Sequence, residues 1–122
     1  MTQTPITVDG YAFESAVENA VSDFMNALAP DAPRLNWNFQ ISAEYIELIA
    51  LVSAHRHDDP RAVAEWWAAL LGLDGDETVS GRRRLTGRLD GMNIDTKVKI
   101  WYITDRPEFD AAGARFLQAV GL

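Results

Sequence analysis

The sequence contains no cysteine. This absence excludes a disulfide scaffold, a thiolate metal site and a thiol nucleophile. The chain also lacks a glycine-rich phosphate loop and a Gly-x-Ser-x-Gly nucleophile motif, and it holds only two histidines. Few of the groups that enzymes use are therefore present. The sequence favours a protein without enzymatic activity and predicts no cofactor.

Long apolar runs are absent as well. No stretch of about 18 apolar residues occurs, which is the length that a membrane-spanning helix needs. The first five residues lack the basic start and the apolar run of a signal peptide. We therefore expect no membrane association and a cytoplasmic location.

The composition is that of an ordinary globular protein. The chain has 122 residues, of which 48% are hydrophobic and 24% charged. This length suits one domain with a core of its own. We expect a single domain over residues 1–122, with residues 1–10 as a loose lead-in.

The acidic excess is confined to one half of the chain. The net charge is −7, and residues 1–60 carry nine acids against two bases, whereas residues 61–122 carry nine of each. Such a balance discourages binding to nucleic acid or to an anionic membrane. It is typical of a soluble surface, and it also fits a surface that binds a basic partner.

Hydrophobic periodicity predicts the elements of the first half. Apolar residues at three- and four-residue steps predict a helix over Tyr11–Leu28, with an apolar stripe formed by Phe13, Val17, Ala20, Val21, Phe24 and Leu28. Strict alternation predicts a strand over Leu35–Ser42. The segment Tyr45–Ala54 is almost all apolar and fits a strand or a helix. Its β-branched content and the short connection favour a strand, paired in a hairpin with Leu35–Ser42.

The second half begins with clear helix signals. Asp59 and Pro60 are typical of an N-cap and a first helical residue, and Gly72 is typical of a helix end. Residues 74–81 predict a loop. The Asp90-Gly91 pair then predicts a two-residue hairpin turn between strands over Arg82–Leu89 and Met92–Thr104.

A last helix begins at Asp105, three residues before a glutamate. Its predicted buried stripe consists of Phe109, Ala112, Phe116, Leu117 and Val120. The predicted order is α-β-β-α-β-β-α. We expect a two-layer α+β fold in which about four mostly antiparallel strands, arranged as two hairpins, pack against three helices.

The strongest candidate site is the polar face of the C-terminal hairpin. Residues of one parity on each strand are basic or aromatic, namely Arg82, Arg84, Arg88, Lys97, Lys99 and Trp101. If the two polar faces coincide, they form a basic patch with an aromatic ring, which suits phosphates and stacked bases. A solvated sheet face that discourages edge pairing is the other interpretation. The isoelectric point of about 4.6 speaks against nucleic acid.

Two further candidates are weaker. Trp66 and Trp67 are adjacent on a helix, so one of them can lie at the edge of the buried face and mark a protein interface. His55, His57 and Asp58 carry two imidazoles at an i, i+2 spacing beside carboxylates, which suits a metal. No further histidine exists to complete such a site, and a solvated turn before a helix explains the same residues.

Taken together, these patterns favour a small acidic protein that acts by binding another macromolecule as a regulator, inhibitor, adaptor or assembly subunit. A protein partner is expected, and a homodimer is a further expectation because an open sheet has two edges to cover. Two alternatives stay open. One is a nucleic-acid-binding module that uses the hairpin face, and the other is a metal-dependent hydrolase at His55, His57 and Asp58.

Overall fold

A computed structural model of the chain describes residues 4–54 and 56–121. In chain order the elements are α1 (Gly10–Ala27), β1 (Trp37–Ile41), β2 (Ile46–Val52), α2 (Pro60–Leu71), β3 (Asp74–Val79), β4 (Arg82–Arg88), β5 (Thr96–Ile103) and α3 (Arg106–Ala119). The predicted α+β class and the predicted order of elements are confirmed. One element, β3, is added to that order.

The strands form one mixed sheet in the order β1-β2-β5-β4-β3. Three neighbouring pairs are antiparallel, and the central pair β2–β5 is parallel. The hairpin of β1 and β2 is confirmed, and the segment Tyr45–Ala54 holds a strand rather than a helix. The parallel pair joins this hairpin to the strands of the second half, so both halves of the chain contribute to one sheet.

Two boundaries in the second half differ from prediction. Residues 74–81 do not form a loop, because β3 pairs with β4 along most of this stretch and makes the sheet five-stranded. The connection between β4 and β5 is longer than a two-residue turn. Leu89 N–H donates to Thr96 O at 2.9 Å, so Asp90-Gly91 lies within a seven-residue loop over 89–95 that this bond closes.

The helix caps agree with the sequence. Asp59 accepts a hydrogen bond from the backbone N–H of Ala62 at 3.1 Å, and α2 begins at Pro60. At its end Gly72 has a φ of +69°, the left-handed conformation that glycine adopts without a steric cost. Asp105 caps α3 in the same way, accepting from Glu108 N–H at 3.0 Å. None of the helices within the described ranges is long and apolar enough to cross a membrane.

One face of the sheet carries the core. Its buried apolar side chains are Trp37, Leu48, Ala50, Val52, Leu85, Val98, Ile100 and Tyr102. The helix α2 covers β2, β5 and β4 on this face, and α1 packs against β1. Trp67 of α2 meets Trp37 of β1 edge to face, with the ring centroids 5.5 Å apart. The opposite face, here called the open face, carries Arg82, Arg84 and Arg88 of β4 and Lys97 and Lys99 of β5.

Much of the apolar stripe of α1 does not pack against the sheet. Phe13 is 63% exposed and Phe24 is 53% exposed, whereas the buried residues of the helix are Ser22, Met25 and Asn26. Hydrogen bonds fix this orientation, because the Asn26 side chain donates to Leu35 O and accepts from Leu35 N–H. The periodicity therefore predicted the helix correctly but not the side by which it attaches.

The predicted burial of α3 is wrong. None of its fourteen residues is buried, and Phe116 is 65% exposed. The helix leaves the end of β5 and reaches the rest of the protein mainly through its first turn, where Phe109 lies beside Gly81. A helix anchored at one end leaves its apolar side chains in solvent.

Gly81 joins the β3–β4 turn to this first turn of α3. Its φ is +75°, and its carbonyl accepts from Thr104 N–H at 2.8 Å and from Asp105 N–H at 3.1 Å. A Cβ added here would lie 2.4 Å from Asp105 O and 2.7 Å from Phe109 N. The backbone of α3 therefore needs a glycine at this position for steric as well as conformational reasons.

We expect Gly81→Ala to lower the free energy of unfolding by about 2 kcal/mol, from the left-handed φ together with the clash. Gly91→Ala is the control, because Gly91 has a φ of +81° with nothing within 4 Å of its added Cβ. It should cost about 1 kcal/mol, because only the penalty of the left-handed φ applies there. Urea unfolding of both variants measures the difference, and equal losses would show that the contact with α3 contributes nothing.

Candidate functional site

The open face brings the predicted basic residues together. Pairing of β4 with β5 places Arg84 opposite Trp101 and Arg88 opposite Lys97. Burial alternates along β5, so Lys97, Lys99 and Trp101 share the side of the sheet away from the core. The predicted coincidence of the two polar faces is therefore present in the structure.

Trp101 is the centre of one part of this face. The guanidinium of Arg82 lies 4.4 Å from its ring centroid and that of Arg84 lies 5.4 Å away. These contacts are cation–π interactions. The two arginines therefore cover the ring, and a stacked base would first have to displace them.

The other part of the face is a pocket of about 410 Å³. We call it the open-face pocket, and its lining consists of Tyr45, Glu47, Arg84, Thr86, Gly87, Arg88, Lys97, Val98 and Lys99. Lys99 Nζ lies 3.2 Å from Glu47 Oε1, and Arg88 lies 3.4 Å from Asp95. Lys97 Nζ lies 3.9 Å from the centroid of the Tyr45 ring.

These pairs neutralise much of the basic face from within the protein. Glu47 is only 8% exposed, so its bond to Lys99 is a partly buried ion pair rather than a solvated one. A long polyanion would meet a face on which Lys99 and Arg88 already have carboxylate partners, on a protein of net charge −7.

The two tryptophans of α2 differ in burial, since one is buried and the other is exposed. Trp67 is fully buried, whereas Trp66 is 46% exposed next to the exposed Leu70. Trp66 therefore lies outside the core, at the kind of position where tryptophan contributes to protein interfaces.

The residues of the metal hypothesis receive no support from the described part of the chain. His55 lies outside it. His57 is half-buried and its backbone N–H donates to Ser53 O at 3.1 Å, while Asp58 is exposed. Among residues 4–54 and 56–121, no three His, Asp or Glu side chains lie close enough together to hold a metal ion.

Arg61 and Glu65 form an exposed ion pair on α2, with Nε of Arg61 3.0 Å from Oε1 of Glu65. The hydrogen bond from Arg61 to Glu65, together with the attraction between their charges, raises the pKa of Arg61. A guanidinium is already protonated at every accessible pH, so this shift creates no proton donor or acceptor.

A feature that the sequence analysis missed lies beside α1. The exposed stripe of the helix faces the start of β2 and β5 and the loop over 89–95, and these walls enclose a groove of about 480 Å³. We call it the α1 groove, and its lining consists of Phe13, Ala16, Val17, Ala20, Val21, Phe24, Ile46, Leu48, Leu89, Met92 and Thr96. Ten of these eleven residues are apolar, so the groove is a continuous apolar surface open to solvent.

Two exposed carboxylates are sequence neighbours of residues that line this groove. Glu14 follows Phe13 on α1, and Asp90 follows Leu89 on the facing loop. No lysine or arginine occurs in the sequence before Arg34, and Arg34 pairs with Asp23. Part of the acidic excess of the first half therefore lies near an apolar surface.

The chain matches no protein-family model, no curated protein and no solved structure. The geometry of the open face and of the α1 groove is thus the basis for assigning a function.

Proposed function

We propose that the protein is a non-enzymatic binding module, and that the α1 groove binds a basic amphipathic segment of a partner protein. The observation that carries this proposal is the outward-facing apolar stripe of α1. Contiguous apolar surface of this kind is rare on proteins that work alone, and it commonly marks an interaction site.

The size and lining of the groove support a protein segment as the occupant. Its volume of about 480 Å³ accommodates several large side chains. Its long wall is a helix, whose stripe of residues at three- and four-residue steps matches the spacing of apolar residues on another helix. Helices that bind in grooves of this type present their apolar residues at the same intervals.

The charge of the surroundings selects the partner. Glu14 and Asp90 would attract a segment with basic residues beside its apolar ones. A second copy of this chain would bring a second set of the same carboxylates to the groove, and like charges oppose that contact. The homodimer expected from the sequence therefore stays a prediction for another surface.

The test uses a fluorescent amphipathic helical peptide with leucines at three- and four-residue steps and lysines elsewhere. Fluorescence anisotropy should detect binding that weakens as salt rises, because charge contributes to it. A peptide of the same composition in scrambled order should bind at least tenfold more weakly. Equal affinity for both peptides would show that the protein attracts basic chains without using the groove.

Phe13→Ser and Phe116→Ser form a matched pair for the same assay. Both phenylalanines are almost equally exposed, at 63% and 65%, but Phe13 lines the groove and Phe116 lies on α3. We expect Phe13→Ser to weaken peptide binding at least tenfold, because it removes an aromatic anchor. Phe116→Ser should leave binding unchanged. Neither should alter the urea midpoint greatly, since neither ring is buried.

A further inference from the structure

A second site lies on the other side of the sheet, in the open-face pocket. Apart from Tyr45, which directly precedes β2, its lining residues lie on β2, β4 and β5, three adjacent strands at the centre of the five-stranded sheet. Groups on central strands are held more firmly than groups on loops, so they can define a ligand geometry before the ligand arrives. This pocket is separate from the α1 groove, which lies on the core side of the same strands.

The strand register places two like charges opposite each other in this pocket. Arg88 and Lys97 are Cα partners on the antiparallel strands β4 and β5. Like charges in this position destabilise a sheet. Lys99 adds a third cation on the same face, two residues from Lys97. An anion bound between these side chains would convert the repulsion into attraction.

The carboxylates nearby compensate these cations only in part. Glu47 pairs with Lys99, and Asp95 pairs with Arg88. Lys97 contacts the Tyr45 ring, and the carboxylate of Glu47, its register neighbour on β2, is bonded to Lys99. A ring face favours the cation but does not neutralise it. Lys97 therefore retains a positive charge that an anionic ligand can use.

We propose that the open-face pocket binds the dianionic phosphate of a small phosphorylated molecule, held between Lys97 and Arg88. The volume of about 410 Å³ suits a ligand of nucleotide or sugar-phosphate size. Lysine and arginine donors around a phosphate form charge-assisted hydrogen bonds, which are stronger than those between neutral groups. The acidic net charge of the protein favours this small anion over a nucleic acid.

The test is a titration of the full chain with adenosine monophosphate and, separately, with inorganic pyrophosphate at low salt. Two-dimensional NMR of the backbone amides reports the position of binding. We expect the shifts to concentrate at Tyr45, Lys97, Lys99 and Arg88 for both probes. Absence of shifts at these amides up to 10 millimolar of either probe would overturn the proposal.

Variants distinguish binding of the phosphate in the open-face pocket from a general attraction of anions to any exposed base of the protein. Lys97→Gln and Arg88→Gln should each weaken binding of the probes at least tenfold. Arg106→Gln is the control, because Arg106 is an exposed base on α3 outside the pocket. Equal weakening by Arg106→Gln would overturn the proposal. Urea unfolding confirms that each variant is folded.

A single-stranded oligonucleotide of ten residues tests whether the bound phosphate belongs to a small molecule or to a nucleic acid. Binding much tighter than that of adenosine monophosphate, with amide shifts that extend to β3 and α3, would replace the small-molecule site with a nucleic-acid surface. Binding no tighter than the mononucleotide would support the small ligand. The open-face pocket and the α1 groove share no lining residue. Failure of this proposal therefore leaves the proposed partner-binding function untouched, and Phe13→Ser should not change phosphate binding.

Discussion

Replacement of Trp67 by alanine is expected to lower the free energy of unfolding by about 3–5 kcal/mol. Trp67 is fully buried, its ring packs edge to face on Trp37, and its indole N–H donates to Pro33 O at 2.8 Å. The substitution removes a large apolar volume and leaves the Pro33 carbonyl without this donor. A domain of this size has a total stability of about 5–15 kcal/mol, so the loss is a large share of it.

Trp66→Ala is the control for this prediction, because the two tryptophans are neighbours on the same helix. Trp66 is 46% exposed, and we expect its replacement to cost about 1 kcal/mol or less. Urea unfolding followed by far-ultraviolet circular dichroism measures both variants on one scale. Comparable losses for Trp66 and Trp67 would contradict the position of α2 on the sheet.

Local patterns in the sequence predicted most of the fold because they act over a few residues. Alternation defined the core side of β1 and β5, and Asp59, Pro60 and Gly72 marked the ends of α2. The strand β3 escaped prediction because three of its six residues are acidic and one is glycine, and these residues have low strand propensity. It forms because the turn at Ser80-Gly81 folds it back onto β4, so pairing overrides propensity.

Of the two candidate sites, one could be predicted from local sequence patterns and the other could not. The basic open face was predictable, since its residues share a parity on two strands whose pairing determines which of them meet. The α1 groove was not predictable from the helical stripe alone, because periodicity shows which residues share a side and not which side packs. A signal did exist in Ser22 and Asn26, polar residues four apart, which lie where the helix attaches. Polar pairs of this kind on an amphipathic helix are worth testing as attachment points.

We therefore expect Asn26→Ala to lower the free energy of unfolding by about 2–4 kcal/mol. Asn26 is buried and its side chain donates to Leu35 O and to Ser22 O, each at 2.8 Å, while it accepts from Leu35 N–H at 2.9 Å. Alanine would leave the N–H of the buried Leu35 without this partner, and each such group costs about 1–3 kcal/mol. Ser22 Oγ still donates to Leu35 O at 3.1 Å, which limits the loss.

The control is Asn19→Ala, which makes the same chemical change at an exposed position of α1. It should leave stability unchanged or raise it slightly, because alanine has the higher helix propensity. Hydrogen exchange of the α1 amides adds a local measurement, since loss of the attachment should make these amides exchange faster than those of α2. If Asn26→Ala and Asn19→Ala behave alike, packing of the fully buried Met25, which lies outside the groove, attaches α1 instead of the Asn26 hydrogen bonds.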